Sequence, residues 1–376
     1  METVNKMANQ GAMLLPRVPV SCFWEITEAC NLRCTHCEAS SAVAAPDELS
    51  TDEALAVVDE LAGLDCENLY LTGGEPLVRP DWPLIAKTAV ARGLCVSVVS
   101  NGVLVNEANI ATMHDAGVFG LSISLDGLRE AHDKIRLAVR GSTASSYDSA
   151  IRAIQLAVAS PLNTAVITLV HRNNFHQLRA LHDLLCAMGV RVWQLQICMP
   201  LGRMRHHQAE MLIAPGEIPA LEAILAELIE AGKIRIAVGD NIGYYGRHEP
   251  TLRGSVRGIK SFWMGCVAGW RIVALCANGD VKGCPSHPRE IVCGNIRQTR
   301  LADIWNDESR FWYNTAWQAT EIKGACAQCP HQALCRAGCT TMALATSGSI
   351  YENPYCSLRA RAGELPNAGS DQGFIR

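Results

Sequence analysis

Apolar and polar positions alternate along residues 22 to 238 with two different periods. Short apolar runs at 22–27, 67–72, 94–100, 118–125, 163–170 and 191–198 read as strands. Between them, at 51–63, 81–92, 106–116, 146–159, 174–188 and 215–231, apolar residues recur at helical spacing. Ser50 followed by Glu53 forms a capping box ahead of ALAVVDELAGL, and Asp81 with Pro83 opens the next helix. Six strand–helix alternations predict an α/β fold with a parallel sheet, either open and doubly wound or a partial barrel. Past about residue 240 the alternation stops. GDNIGYYGRHEPTLRG (239–254) is Gly-rich and reads as a linker or lid, and RIVALCANGDVKGC reads as a hairpin turning at Asn278-Gly279. The residues from about 361 are short of core formers.

In parallel α/β sheets, chemistry collects at the C-terminal ends of the strands. The first strand here runs into Cys30, Cys34 and Cys37. The second ends in Thr72-Gly73-Gly74-Glu75-Pro76, the third in Ser100-Asn101-Gly102, and the fourth in Ser124-Leu125-Asp126-Gly127. The fifth ends in Thr168-Leu169-Val170 and the sixth in Cys198-Met199-Pro200-Leu201-Gly202-Arg203. Each Gly-containing end alone reads as an ordinary turn; six in register with a cysteine loop point to a site.

Composition sharpens this picture. The chain has 376 residues with 17 cysteines, too long and too dilute in cysteine for a small disulfide scaffold. No membrane-length apolar run or leader is present, so a cytoplasmic protein is expected, and its cysteines then read as metal or redox chemistry. The net charge of -4 carries no basic stripe for nucleic acid. Cys22, Cys66, Cys95, Cys186, Cys198, Cys276 and Cys293 are scattered singly and read as small buried hydrophobes. The other ten form two groups: Cys30-x3-Cys34-x2-Cys37, and seven at Cys266, Cys284, Cys326, Cys329, Cys335, Cys339 and Cys356. Three thiolates on one loop suit an iron–sulfur cubane with one iron lacking a protein ligand, whereas a structural zinc site would be closed by a fourth ligand.

With these motifs, the chain resembles radical SAM enzymes carrying a C-terminal SPASM domain, over roughly residues 20 to 358. Cys266-x12-Gly279-x4-Cys284, Cys326-x2-Cys329-x5-Cys335-x3-Cys339 and the final Cys356 match the SPASM seven-cysteine pattern. The resemblance implies a TIM-like partial (β/α)6 barrel over 21–238 after an N-terminal tail (1–20). A linker or bridging region (239–260), a small cysteine-rich SPASM module (261–360) and a C-terminal tail (361–376) would follow. It also implies a [4Fe-4S] cluster on Cys30, Cys34 and Cys37 whose open iron chelates S-adenosylmethionine (SAM), cleaved reductively to a 5′-deoxyadenosyl radical. Gly73, Gly74, Glu75 and Pro76 would meet the methionine amino group, with Glu75 accepting from the ammonium. Ser100, Asn101, Ser124 and Asp126 would contact ribose and carboxylate, Arg136 the SAM carboxylate, and Met199 and His36 the adenine side. Arg136 also reads as a solvated helix residue.

Two auxiliary iron–sulfur clusters are further implied. Cys326, Cys329, Cys335 and Cys356 would hold the distal one. Cys266, Cys284 and Cys339 would hold the proximal one, a ligand short, because RGIKSFWMG (257–265) lacks the cysteine that many relatives place there. Either Cys276 or Cys293 substitutes, or the cluster is open or smaller; the open form is favoured because Cys276 is near the hairpin tip. Family resemblance suggests oxidative modification or crosslinking of a ribosomally made peptide. The alternatives are a radical step on a tetrapyrrole or redox cofactor, peptide epimerisation with Cys198 as hydrogen donor, and a non-catalytic iron–sulfur or zinc-binding protein. Pro285 after Cys284 counts against sulfatase maturation, where an Asp stands. The short segment before the first strand leaves no room for a leader-binding domain, so a separate leader-binding protein, a short peptide or a small-molecule substrate would follow. A low-potential donor such as flavodoxin or ferredoxin is also implied.

Overall fold

The computed structural model describes residues 16–138, 145–254 and 262–361. Most of the expected N-terminal tail (1–15), the end of the 239–260 segment from 255, residue 261 and the C-terminal tail from 362 lie outside the described residues. The predicted alternation is realised as β1 (Ser21–Glu25), α1 (Thr51–Gly63), β2 (Asn68–Thr72), α2 (Trp82–Ala91), β3 (Cys95–Ser100), α3 (Glu107–Asp115) and β4 (Gly120–Ser124). Helices α4 (Arg129–Ile135) and α5 (Ser146–Val158), β5 (Asn163–Val170), α6 (Leu178–Ala187), β6 (Val192–Ile197), α7 (Ile218–Glu230) and β7 (Arg235–Val238) complete it. Of these, α4 and β7 were not foreseen. Neighbours from β1 to β7 all pair in parallel.

One sheet face carries the core. Trp24, Leu69, Leu71, Val96, Val98, Leu121, Ile123, Val166, Trp193 and Leu195 are buried there against the helices, with Val57, Leu61, Ile85, Ala89, Ile154, Leu181 and Leu221. Each such aliphatic side chain contributes roughly 1.5–3 kcal/mol on burial. Alternate residues of the same strands are only half-buried, a burial pattern iBiBi in β1 and β2 and iBiBiB in β3 and β6. The opposite face is therefore lined rather than filled, unlike the two-sided apolar strands of most parallel sheets.

Helix starts follow their sequence signals in part. Glu53 N–H donates to Ser50 Oγ at 3.3 Å and Ser50 N–H to Glu53 Oε2 at 2.8 Å, the predicted capping box. Asp81 stands at the start of α2 but makes no side-chain cap there. It binds Arg79 at 2.7 Å and Thr51 Oγ1 at 2.6 Å instead.

The cysteine-rich region does not form a sheet of its own. β8 (Ile272–Leu275) adds in parallel to β1, with Cys22 opposite Val273 and Trp24 opposite Leu275. β9 (Asp280–Lys282) and β10 (Gly294–Asn295) follow antiparallel. The result is one open ten-stranded sheet in the order β10-β9-β8-β1-β2-β3-β4-β5-β6-β7, with the predicted hairpin as its extension.

The segment 239–254 is packed rather than a loose linker. Asn241 donates to Ile197 O at 2.7 Å and accepts from Ile197 N–H at 3.1 Å, and Tyr244 is buried with its hydroxyl accepting from Cys339 N–H at 2.8 Å. Gly243 and Gly246 lie against the Glu222 carboxylate, where a Cβ would fall 2.0 and 2.1 Å from its oxygens. Arg17, placed in the tail by the sequence, donates to Gly269 O at 3.0 Å and stacks over Trp305.

Candidate active site

The loop after β1 is held from three sides. From the α4 side, Leu137 O accepts from Arg33 N–H at 2.7 Å and Ile135 O from Thr35 N–H at 2.8 Å. From the β2 end, Gly74 N–H donates to Thr27 O at 2.7 Å and Glu75 N–H to Ala29 O at 2.8 Å. The glycines are required by this approach: a Cβ would lie 2.4 Å from Thr27 O at Gly73 and 2.1 Å from Ala29 O at Gly74. From the loop after β6, Arg203 donates Nε–H to Cys34 O at 2.8 Å and Nη1–H to Ser41 O at 2.9 Å. Arg203 N–H reaches Cys37 O at 3.0 Å. The sequence places Arg203 at the sixth strand end without giving it a role.

Cys30, Cys34, Cys37, His36, Gly73, Gly74, Asn101 and Arg136 line one cavity of about 390 Å³ over the half-buried sheet face, within the usual small-molecule range of roughly 300–1,000 Å³. Its floor comes from all six predicted strands: Phe23 and Glu25, Tyr70 and Thr72, Val99, Ser122, Ile167 and Leu169, Gln194 and Gln196. Of these floor residues Thr72 and Leu169 belong to strand ends named from the sequence; the others carry no such signal beyond the polar alternation Gln194, Gln196.

Electrostatics tie the cavity wall together. Asp126 is fully buried; its Oδ2 accepts from Arg136 Nε–H at 2.6 Å and meets His36 Nε2 at 3.2 Å, and its Oδ1 accepts from Leu169 N–H at 2.8 Å. Burial opposes its charge, but Arg136 and then His36 hold the carboxyl well below the usual range. Burial lowers the His36 imidazole despite Asp126, and its Nδ1 is buried with no hydrogen-bond partner among the described residues. Burial acts against the Arg136 charge, yet Asp126 and then the Cys34 thiol raise it. Arg136 is thus no solvated helix residue.

Several expected SAM contacts stand elsewhere. Glu75 is buried off the cavity, and its carboxylate accepts from Asn101 N–H at 2.7 Å, Ser100 Oγ–H at 2.9 Å and Leu77 N–H at 3.3 Å. Burial pushes it up to about 7 against those donors. Its geometry is that of a brace between the β2 and β3 ends. Pro76, Ser100, Ser124 and Met199 are likewise buried and absent from the cavity lining. Asn101 does face it, donating Nδ2–H to Asn31 Oδ1 at 2.7 Å, with Cys30 Sγ at 3.9 Å.

The thiols gather in three sets. Burial, and then Cys37 and Cys30 against the opposing Arg136, push Cys34 up to about 12. Cys326, Cys329, Cys335 and Cys356 line one cavity with Tyr244 and Asn353, and Cys335 is raised by burial and then by the other three. Cys339 is raised by burial and then by Cys266 and Cys284. Between Cys335 and Cys339, Arg336, Ala337 and Gly338 all adopt left-handed backbone (φ 54°, 58° and 74°), a strained link that fixes one set against the other. Among the described residues no three His, Cys, Asp or Glu side chains converge at single-ion distance.

A second, polar cavity of about 450 Å³ adjoins the first and shares Glu25, Glu38, Pro285 and Ser286 with it. Glu38 bonds Ser286 and Met199, and burial pushes its carboxyl up to about 7.

Comparison with known proteins gives the same class. Residues 24–185 match the radical SAM superfamily and 266–330 an iron–sulfur cluster-binding domain, SPASM. The chain is 30% identical over 326 residues to mycofactocin maturase MftC of Mycobacterium ulcerans, covering 85% of this chain and 83% of the relative. It is 28% identical over 346 residues to the AdoMet-dependent heme synthase of Methanosarcina barkeri, covering 89% and 95%. In fold it is similar to anSMEcpe with bound AdoMet, with a TM-score of 0.71 at 16% identity over 92% of this chain and 95% of that one. Streptococcus suis SuiB bound to S-adenosylmethionine gives 0.69 at 13% identity, over 94% and 79%. The chain belongs to the radical SAM superfamily and carries a SPASM domain; it is an enzyme that uses SAM and iron–sulfur clusters. The parallel sheet is a partial barrel, open at both edges. Among the described residues no helix is long and apolar enough to cross a membrane.

Proposed function

We propose that the enzyme carries out oxidative modification or crosslinking of a ribosomally made peptide. Bound to Cys30, Cys34 and Cys37, the cluster and SAM together supply a 5′-deoxyadenosyl radical. The chain's own residues do the rest: Arg203 and the β2 end hold the cysteine loop, Asp126 orients Arg136 and His36 toward the cavity, and the half-buried sheet face forms its floor. Two auxiliary clusters, on Cys326, Cys329, Cys335 and Cys356 and on Cys266, Cys284 and Cys339, offer an exit for the electron that an oxidation releases.

The observation that carries the peptide reading is the second cavity. Its lining mixes Glu25, Glu28, Glu38 and Glu290 with Arg205, Lys282 and Arg289. A polycarboxylate tetrapyrrole calls for a surplus of cations, whereas a peptide with both donors and acceptors suits this balance. A maturase relative at 30% identity supports the same reading. The second reading, a radical step on a tetrapyrrole, is favoured by the heme synthase at 28% identity. A low-potential donor such as flavodoxin or ferredoxin, and a separate leader-binding protein, are part of the proposal.

The test is to reconstitute the enzyme anaerobically and supply SAM, a reductant and either short peptides encoded by any neighbouring gene or an iron tetrapyrrole carrying carboxylates. A peptide product lighter by two hydrogens, with 5′-deoxyadenosine, is expected. Turnover of the tetrapyrrole with the peptide left unchanged overturns it.

A further inference from the structure

The proximal auxiliary set has three cysteines, and neither spare cysteine nearby is free to complete it. Cys276 is engaged by Glu25 and Lys282. Cys293 is turned to the Tyr313 hydroxyl, with Sγ 3.8 Å from that oxygen. Two carboxylates act on the set through charge, Glu38 on Cys284 and Asp240 on Cys339. The first is taken up by Ser286 and Met199, and the second is more than half exposed beside Arg253.

We propose that His287 is the fourth protein ligand of the proximal auxiliary cluster. The residue is 2% exposed, and both of its ring nitrogens are buried without a hydrogen-bond partner among the described residues. A doubly orphaned imidazole in a folded interior is costly, because each polar atom has lost its water and gained nothing. A bond to iron from one nitrogen removes half of that cost.

Position supports the assignment. Cys284 and His287 are in C-x2-H spacing, and His287 N–H donates to Cys284 O at 3.1 Å. Lys282 Nζ fixes the turn by donating to Pro285 O at 3.0 Å and to His287 O at 3.1 Å. The imidazole packs edge-on against Tyr313 at 4.6 Å. Tyr313 in turn lies against the strand end that leads into Cys284: a Cβ on Gly283 would lie 1.8 Å from its hydroxyl. His287 therefore lies one turn past Cys284, beside Tyr313, where it also lines the second cavity. Replacing thiolate by imidazole raises the reduction potential of an iron–sulfur centre, which suits a cluster that receives an electron. The assignment rests on the cluster-binding class of the domain and is independent of which substrate the enzyme takes.

The experiment uses the full chain with Cys30→Ala, Cys34→Ala and Cys37→Ala, so that only the auxiliary sites hold iron, reconstituted with iron and sulfide and reduced. Pulsed electron paramagnetic resonance is recorded on protein made with ordinary and with 15N-labelled histidine. A strong nitrogen coupling that changes to the 15N pattern on labelling, and disappears in His287→Cys while iron content is kept, is expected. Absence of a histidine-derived coupling in the parent protein overturns the proposal. Persistence of the coupling in His287→Cys, or loss of about four irons per chain in that variant, overturns it equally, since a thiolate at a ligand position holds iron.

Discussion

At the residue scale, the cavity wall depends on one buried carboxylate. Asp126 balances Arg136 and holds His36, all within a nearly dry interior. Asp126→Asn leaves the Arg136 charge uncompensated, and a loss of about 3–5 kcal/mol is expected, seen as a lowered midpoint of denaturant unfolding. The folded pKa of Asp126 lies below the ordinary value. Its contribution is thus fully present above about pH 4, where the unfolded chain is also ionised, and is lost as pH falls through the depressed folded value. Acid unfolding of Asp126→Asn should accordingly show a flatter slope below about pH 4. Arg203 is a second dependence: Arg203→Ala removes charge-assisted bonds to Cys34 O and Ser41 O. Each is worth about 1.5–3 kcal/mol, and faster loss of iron from the first cluster under a chelator is the expected outcome. The thiols were legible at this scale because cluster ligation is written in local spacing. The partner of Arg136 was not, since Asp126 and His36 come from different loops and only folding sets them side by side. Glu75 shows the converse: its motif was legible, but its carboxylate turns inward to the β3 end.

At the element scale, the six predicted strands and their helices formed because their periods were long and clean. The seventh strand was missed. In β7 only Ile236 and Val238 are buried, and a four-residue element offers too few alternations to stand out from a loop. The bridging segment 239–254 shows how composition misleads. Its glycines read as flexibility, yet Gly243 and Gly246 are there because Glu222 on α7 occupies the space a side chain would take. Burial pushes Glu222 up to about 7 from 4.5. A carboxyl whose folded pKa is raised binds its proton more tightly in the folded state, so stability falls as pH rises through that window. Glu222→Gln should flatten this fall, by about 2–3 kcal/mol across the window, as measured by thermal unfolding at pH 5 and pH 7.5. Gly246→Ala, which drives a Cβ into the same carboxylate, should lower the melting temperature at both.

At the scale of the whole molecule, the cluster-binding region and the partial barrel are one sheet. β1, whose loop carries the first cluster, has β2 on one side and β8 on the other. A chain ended after residue 254 leaves β1 as an unpaired edge beside the active site, and such edges associate. Expression of residues 16–254 should therefore give aggregated protein, judged by size-exclusion chromatography. The three thiol sets are nonetheless separate in ligation. Cys30→Ala, Cys34→Ala and Cys37→Ala together should abolish 5′-deoxyadenosine formation while the C-terminal clusters keep their iron; retained cleavage would refute the assignment of the first site.

The sequence by itself determined the α/β periodicity, the three cysteine groupings and the class of chemistry, because each is a pattern of near neighbours or fixed spacings along the chain. Only the tertiary structure decided which strand-end residues face the cavity, that the hairpin joins the main sheet, and that Cys276 and Cys293 have side-chain partners while the ring nitrogens of His287 have none among the described residues. Those outcomes depend on side-chain direction and on contacts between residues far apart in sequence, and no local pattern encodes them.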